Sequence, residues 1–174
     1  MAHNLSRETL SVMAACPRLP LPMGIEVEDR GPRQGRPSAV ADVLSIGANP
    51  TLAVYLAGLF EKFRWTVRHS ANLEEAREYL GNHQAAVVIC EEALPDADWQ
   101  DALWAVNAIP DAPMFVVIGG DRTLLDEVLA LGGFDVLTRP LREAEVIWTV
   151  ASARHEWIKR LENTNGGGSR CSDA

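Results

Sequence analysis

The sequence predicts an α/β fold: one doubly wound, five-stranded parallel sheet with helices on both faces, a (βα)5 three-layer sandwich. Three observations carry this expectation. Five short apolar runs lie between residues 41 and 138, and each precedes a segment of helical periodicity. The runs at 85–90 and 113–120 are apolar without alternation, as strands covered on both faces are. Asn, Asp, Gly and Pro punctuate the joins.

The elements follow in order. Residues 1–39 hold Pro17, Pro20, Pro22, Pro32 and Pro37 and little periodicity, so they read as a flexible Pro-rich extension with room for one short helix at 6–15. ADVLSIG (41–47) is the first strand. In the helix expected over 49–63, Leu52, Tyr55, Leu56, Leu59, Phe60 and Phe63 recur at helical spacing behind an Asn49 cap and Pro50. WTVRHS (65–70) alternates as a half-buried strand, and Asn72 with Glu75 forms a capping box for a helix to Leu80. The strand at 85–90 leads to a weaker helix near 99–108. PMFVVIGG (113–120) is the fourth strand, Asp121 caps a helix through Leu131, and Gly132-Gly133 end it. FDVLT (134–138) is the fifth strand, and a long helix spans 142–162. The Gly-rich tail 163–174 reads as disordered, which makes 40–162 the folded domain.

Composition narrows the function. A net charge of −8 lacks the basic face that nucleic acid requires, and Arg30, Arg33 and Arg36 read as a solvated linker, so neither nucleic acid nor a membrane is an expected partner. Cys16, Cys90 and Cys171 are too scattered for a disulfide framework or zinc site and suggest a reducing, cytoplasmic setting. No run reaches the length of a membrane-spanning helix.

Sites in such folds lie at the carboxyl ends of strands, here Gly47-Ala48, Glu91-Glu92, Gly119-Gly120 and Thr138-Arg139. The first turn, Gly47-Ala48-Asn49-Pro50, has one glycine and a proline, so a dinucleotide fingerprint fails; a Walker lysine is also lacking. His3, His69, His83 and His155 show no metal-ligand spacing, and no serine or cysteine sits in a nucleophile elbow. No catalytic residue and no metal ligand is assigned, and an enzyme is not expected.

Two stretches resemble response-regulator receiver domains of two-component signalling. VVICEEALPDADW (87–99) is similar to the receiver pattern of an apolar strand, an acceptor aspartate, proline four residues on, then Asp-Gly. GGFDVLTRPL (132–141) is similar to the pattern ending in Lys-Pro. The resemblance covers residues 40–162 and implies the flavodoxin-like form of the fold. It places Glu91 at the phosphoacceptor position, with Glu92 in an alternative register, and Arg139 at the lysine position. The acidic pair that holds Mg²⁺ falls on Gly47 and Ala48, the hydroxyl residue on Ile118, and the aromatic switch on Val136.

These departures imply a degenerate pseudo-receiver: a carboxylate-poor site should bind Mg²⁺ poorly and not run phosphoryl transfer, so no cofactor is expected. Glu91 then either pairs with Arg139 or is a solvated strand-end acid. The chain reads as a stand-alone module, because only about a dozen polar residues follow the domain. It would act through a protein partner (kinase, output protein or second copy) on the face of the fourth helix, fifth strand and fifth helix. Trp148 and Trp157 are candidates for that surface, or else core. Two alternatives stand: a small nucleotide- or flavin-binding protein, and a receiver phosphorylated at another aspartate such as Asp96 or Asp98.

Overall fold

The computed structural model describes residues 40–165. The expected extension 1–39, with its short helix, and the tail beyond 165 lie outside the described residues. Ten elements alternate: β1 (Val40–Ile46), α1 (Pro50–Glu61), β2 (Val67–Ser70), α2 (Leu73–Asn82), β3 (Gln84–Glu91), α3 (Trp99–Asn107), β4 (Met114–Gly119), α4 (Leu124–Ala130), β5 (Asp135–Thr138) and α5 (Glu143–Asn165). The strands form one parallel sheet in the order β2-β1-β3-β4-β5, the doubly wound arrangement predicted.

Strand side chains alternate between two apolar layers. Val43, Val87, Ile89, Val116, Ile118 and Leu137 pack beneath α1 and α5 with Leu56, Phe60, Val146 and Val150. Leu44, Ile46, Val88, Cys90, Val117 and Val136 pack against α2, α3 and α4 with Leu80, Leu103, Val106 and Val128. Burying each such side chain contributes about 1.5–3 kcal/mol, so the central strands carry much of the stability.

Caps set several helix ends. Asn49 accepts from the Thr51 amide at 3.0 Å and opens α1. Asn72 accepts from the Glu75 amide at 2.8 Å, while the Glu75 carboxylate reaches back to the Ala71 amide at 2.8 Å, one residue before the expected partner. β2 starts at Val67 because Trp65 is drawn onto the end of α1, with ring centroids 5.3 Å from Phe60 and 5.1 Å from Phe63.

Three expectations need correction. Asp121 does not cap α4: its carboxylate accepts from the Thr123 amide at 3.2 Å in a preceding turn, and the helix begins at Leu124. The last helix runs on to Asn165, three residues into the stretch read as tail, and near its end the Thr164 hydroxyl bonds back to the Arg160 and Leu161 carbonyls. Trp157 is not a surface residue. It continues the Val146, Val150, Ala153 stripe, is 6% exposed, and donates its indole N–H to the Asp111 carbonyl at 3.0 Å. Trp148 lies two residues after Val146, about 200° around the helix, and is 75% exposed. Among the described residues no helix is long and apolar enough to cross a membrane.

Candidate functional site

The β1–β3 register ends at Ile46↔Cys90, so the next residues, Gly47 and Glu91, lie side by side at the carboxyl edge of the sheet. Period two puts Glu91 on the face of Val87 and Ile89, over the α1/α5 layer. Glu91 pairs with Ile118 across β4, and Ile118 with Leu137 across β5. Arg139, two residues beyond Leu137, is thereby brought to the same corner.

There the side chains close on one another. Arg139 Nη2 donates to Glu91 Oε1 at 2.6 Å. Glu91 Oε2 accepts a long hydrogen bond, 3.4 Å, from the Asn49 amide at the mouth of α1. The Glu91 side chain is only 13% exposed, whereas Arg139 is 48% exposed and keeps much of its hydration. A Cβ added at Gly47 would lie 2.1 Å from Glu91 Oε2 and 2.7 Å from its Cδ. The glutamate carboxylate therefore fills the space that a side chain on residue 47 would enter.

Glu92 points elsewhere. Its amide donates to the Ile118 carbonyl at 3.1 Å, and Oε2 accepts from the Gly120 amide at 3.2 Å. Of the two neighbouring acids, Glu91 is thus the partner of Arg139. Ile118 is buried and apolar, and Ala48 is exposed with only a methyl group. Val136 is buried on the opposite face, against the α2/α3/α4 layer. Cys90 is buried, and its thiol is pushed far above its ordinary range by that burial and then by the Glu91 and Asp98 charges.

The loop from Glu92 to Asp98 is fastened by contacts that local sequence did not advertise. Asp96 accepts from the Leu73 and Glu74 amides at 3.0 and 3.1 Å, tying the loop to the start of α2. The hydrogen bond from Leu73, aided by that from Glu74, holds the Asp96 carboxyl below its ordinary value. Asp98 caps α3, accepting from the Gln100 and Asp101 amides at 2.9 and 3.0 Å. Both alternative acceptor aspartates are therefore engaged at helix N-termini. Sequence reading also missed an open, largely apolar depression of about 430 Å³ beside the ion pair, with Leu52, Tyr55, Pro140 and Leu141 in its wall next to Arg139.

The donor set does not fit Mg²⁺, which asks for oxygen ligands including one or two carboxylates. Gly47 and Ala48 offer no side-chain oxygen, and the Glu91 carboxylate is held by a guanidinium. Among the described residues no group of three or more His, Cys, Asp or Glu could hold a metal ion.

No protein-family model matches the chain, and no curated protein matches it by sequence. Solved structures do match. A two-component response regulator from Clostridium difficile superposes with a TM-score of 0.59 at 19% identity, covering 68% of this chain and 98% of the other. The domain has the receiver fold. A chemotaxis response regulator of Vibrio cholerae gives a TM-score of 0.56 at 15% identity, covering 68% and 99% of the two chains. An adenylate cyclase from Rhodopirellula baltica gives 0.66 at 13% identity, covering 72% and 96%. Identities this low speak for the receiver fold and leave activity to the site.

Proposed function

We propose that this receiver-fold domain is a signalling module held in one state, acting through protein contacts without Mg²⁺-dependent aspartyl phosphorylation. The observation that carries the reading is the Glu91 carboxylate lying in the space over Gly47 while paired with Arg139. A fixed carboxylate then stands at the acceptor position, and the cation that would answer a phosphoryl group is already engaged. Phosphoryl transfer relies on positioning and metal neutralisation, and the strand ends supply neither the carboxylate pair nor, at Ile118, the hydroxyl. In this reading the protein is not an enzyme. Its partner, a kinase, an output protein or a second copy, docks on the α4–β5–α5 face, where Leu129 and Trp148 are exposed apolar side chains.

The test is incubation of the full chain with acetyl phosphate and Mg²⁺ followed by intact mass. The expected result is an unchanged mass; a stable gain of one phosphoryl group overturns the reading. Mapping of such a group to Asp96 or Asp98 would favour the alternative of a displaced acceptor.

A further inference from the structure

The outer side of α1 differs from that of the other helices. From Pro50 to Phe60 the helix has no charged side chain, whereas Glu74, Asp101, Asp126 and Glu143 stand exposed on α2, α3, α4 and α5. Its buried residues, Leu52, Leu56, Leu59 and Phe60, face the sheet. At about 100° per residue, Val54, Gly58 and Glu61 lie on the side opposite them. All three are exposed, Val54 at 72%. Tyr55, also exposed, carries this surface into the depression walled by Pro140 and Leu141. A chain of net charge −8 thus presents an apolar face along one helix.

The order of residues along this face makes it complementary to itself under a two-fold axis. Two α1 helices set antiparallel about a point level with Leu56 bring Val54 of each copy against Gly58 of the other. The large exposed side chain meets the position that has none. A Cβ built on Gly58 finds nothing within 4 Å, so packing inside this chain does not require glycine there, and glycine weakens a helix interior. The same arrangement brings Glu61 of each copy to the Thr51 end of the other. Arg139 lies at that end, lining the depression with Asn49 and Thr51, and is half-exposed beyond its bond to Glu91. Glu61 makes no ion pair among the described residues. Acid therefore meets base at both ends of the helix pair.

We infer that the outer face of α1 packs antiparallel on α1 of a second copy of this chain, forming a two-fold dimer seam separate from the α4–β5–α5 face. Large against small and acid against base, both within one patch, is what an isologous contact requires; an unrelated partner would not need the patch to complement itself. One helix and its flank make an interface at the small end of specific ones, below about 1,200 Å². The dimer is accordingly weak, with an expected Kd of about 10–100 µM.

The test is sedimentation equilibrium of the full chain from about 5 µM to about 1 mM, where a monomer–dimer equilibrium is expected. Val54→Glu puts two carboxylates into the seam and should weaken the dimer by about tenfold or more. Glu61→Arg lowers the net negative charge of each copy, which by itself would favour association. Because it sets like charges at the Arg139 end, it should instead weaken the dimer by about threefold or more. Trp148→Ala should leave the Kd unchanged. Val54, Glu61 and Trp148 are exposed, so the variants should fold, and their melting curves check this. A monomer throughout the range, an unchanged Kd in Val54→Glu or in Glu61→Arg, or a dimer lost in Trp148→Ala each overturns the proposal.

Discussion

Gly47 and Glu91 exchange volume across the β1–β3 register. Glutamate is one methylene longer than aspartate, and its carboxylate ends 2.1 Å from where a Cβ on residue 47 would stand. Gly47→Ala should therefore displace Glu91 from Arg139 and cost about 1–3 kcal/mol, as overpacking does. In a Glu91→Ala background the same substitution should cost less, because the obstructing side chain is gone. Urea unfolding of the two single variants and the double variant measures the coupling, expected at about 1 kcal/mol; additive costs would mean that the two positions do not constrain each other. Glu91→Ala alone should cost about 1 kcal/mol or less, since Arg139 is half-exposed and water can replace its partner. The sequence motifs named Glu91 and Arg139 one at a time. Whether they pair was open, because the answer depends on strand register and on side-chain reach, which residue types alone do not encode.

Among the elements, α2 and α5 show how capping and helical phase decide roles that composition leaves ambiguous. Asp96 is fastened to α2 across 23 residues of sequence, so no local signal at 96 could announce it. Its folded-state pKa is lowered from an ordinary value near 3.8, so the stabilisation is fully present above that value and is lost as pH falls through the lower folded pKa. The wild type should therefore be more stable than Asp96→Asn at neutral pH, and the two unfolding midpoints should converge in acid below about pH 4. A difference that persists unchanged to lower pH would assign the effect to hydrogen-bond geometry instead of charge. On α5, phase separates two tryptophans that composition treats alike. Trp157→Ala should cost about 3–5 kcal/mol in chemical denaturation. Trp148→Ala should change stability by no more than about 0.5 kcal/mol, yet reduce capture of the partner proposed for the α4–β5–α5 face. An unchanged set of captured proteins would remove Trp148 from that surface.

For the whole molecule, the sheet was legible because its central strands are unbroken apolar runs and its helices carry clear stripes. Their order, β2-β1-β3-β4-β5, comes from crossovers that no single segment specifies. In the reading proposed above, the site was legible through the side chains at Gly47, Ala48 and Ile118, which carry no oxygen, whereas the carboxylate that fills the corner shows only in three dimensions. If the carboxylates lacking at 47 and 48 are what separates this domain from a metal-binding receiver, restoring them should restore metal binding. Wild-type melting temperature should be the same in Mg²⁺ as in Na⁺ at matched ionic strength. In a Gly47→Asp, Ala48→Asp, Glu91→Asp triple variant the shorter side chain at 91 vacates the volume that a carboxylate on 47 needs, and three carboxylates meet at the strand ends. Mg²⁺ at about ten times its Kd should then stabilise the variant by about 1.4 kcal/mol through linkage. Mg²⁺-specific stabilisation of the wild type would contradict the fixed-state reading. A triple variant that folds but ignores Mg²⁺ would move the cause from the carboxylates lacking at 47 and 48 to the way Arg139 and the neighbouring loops hold the corner shut.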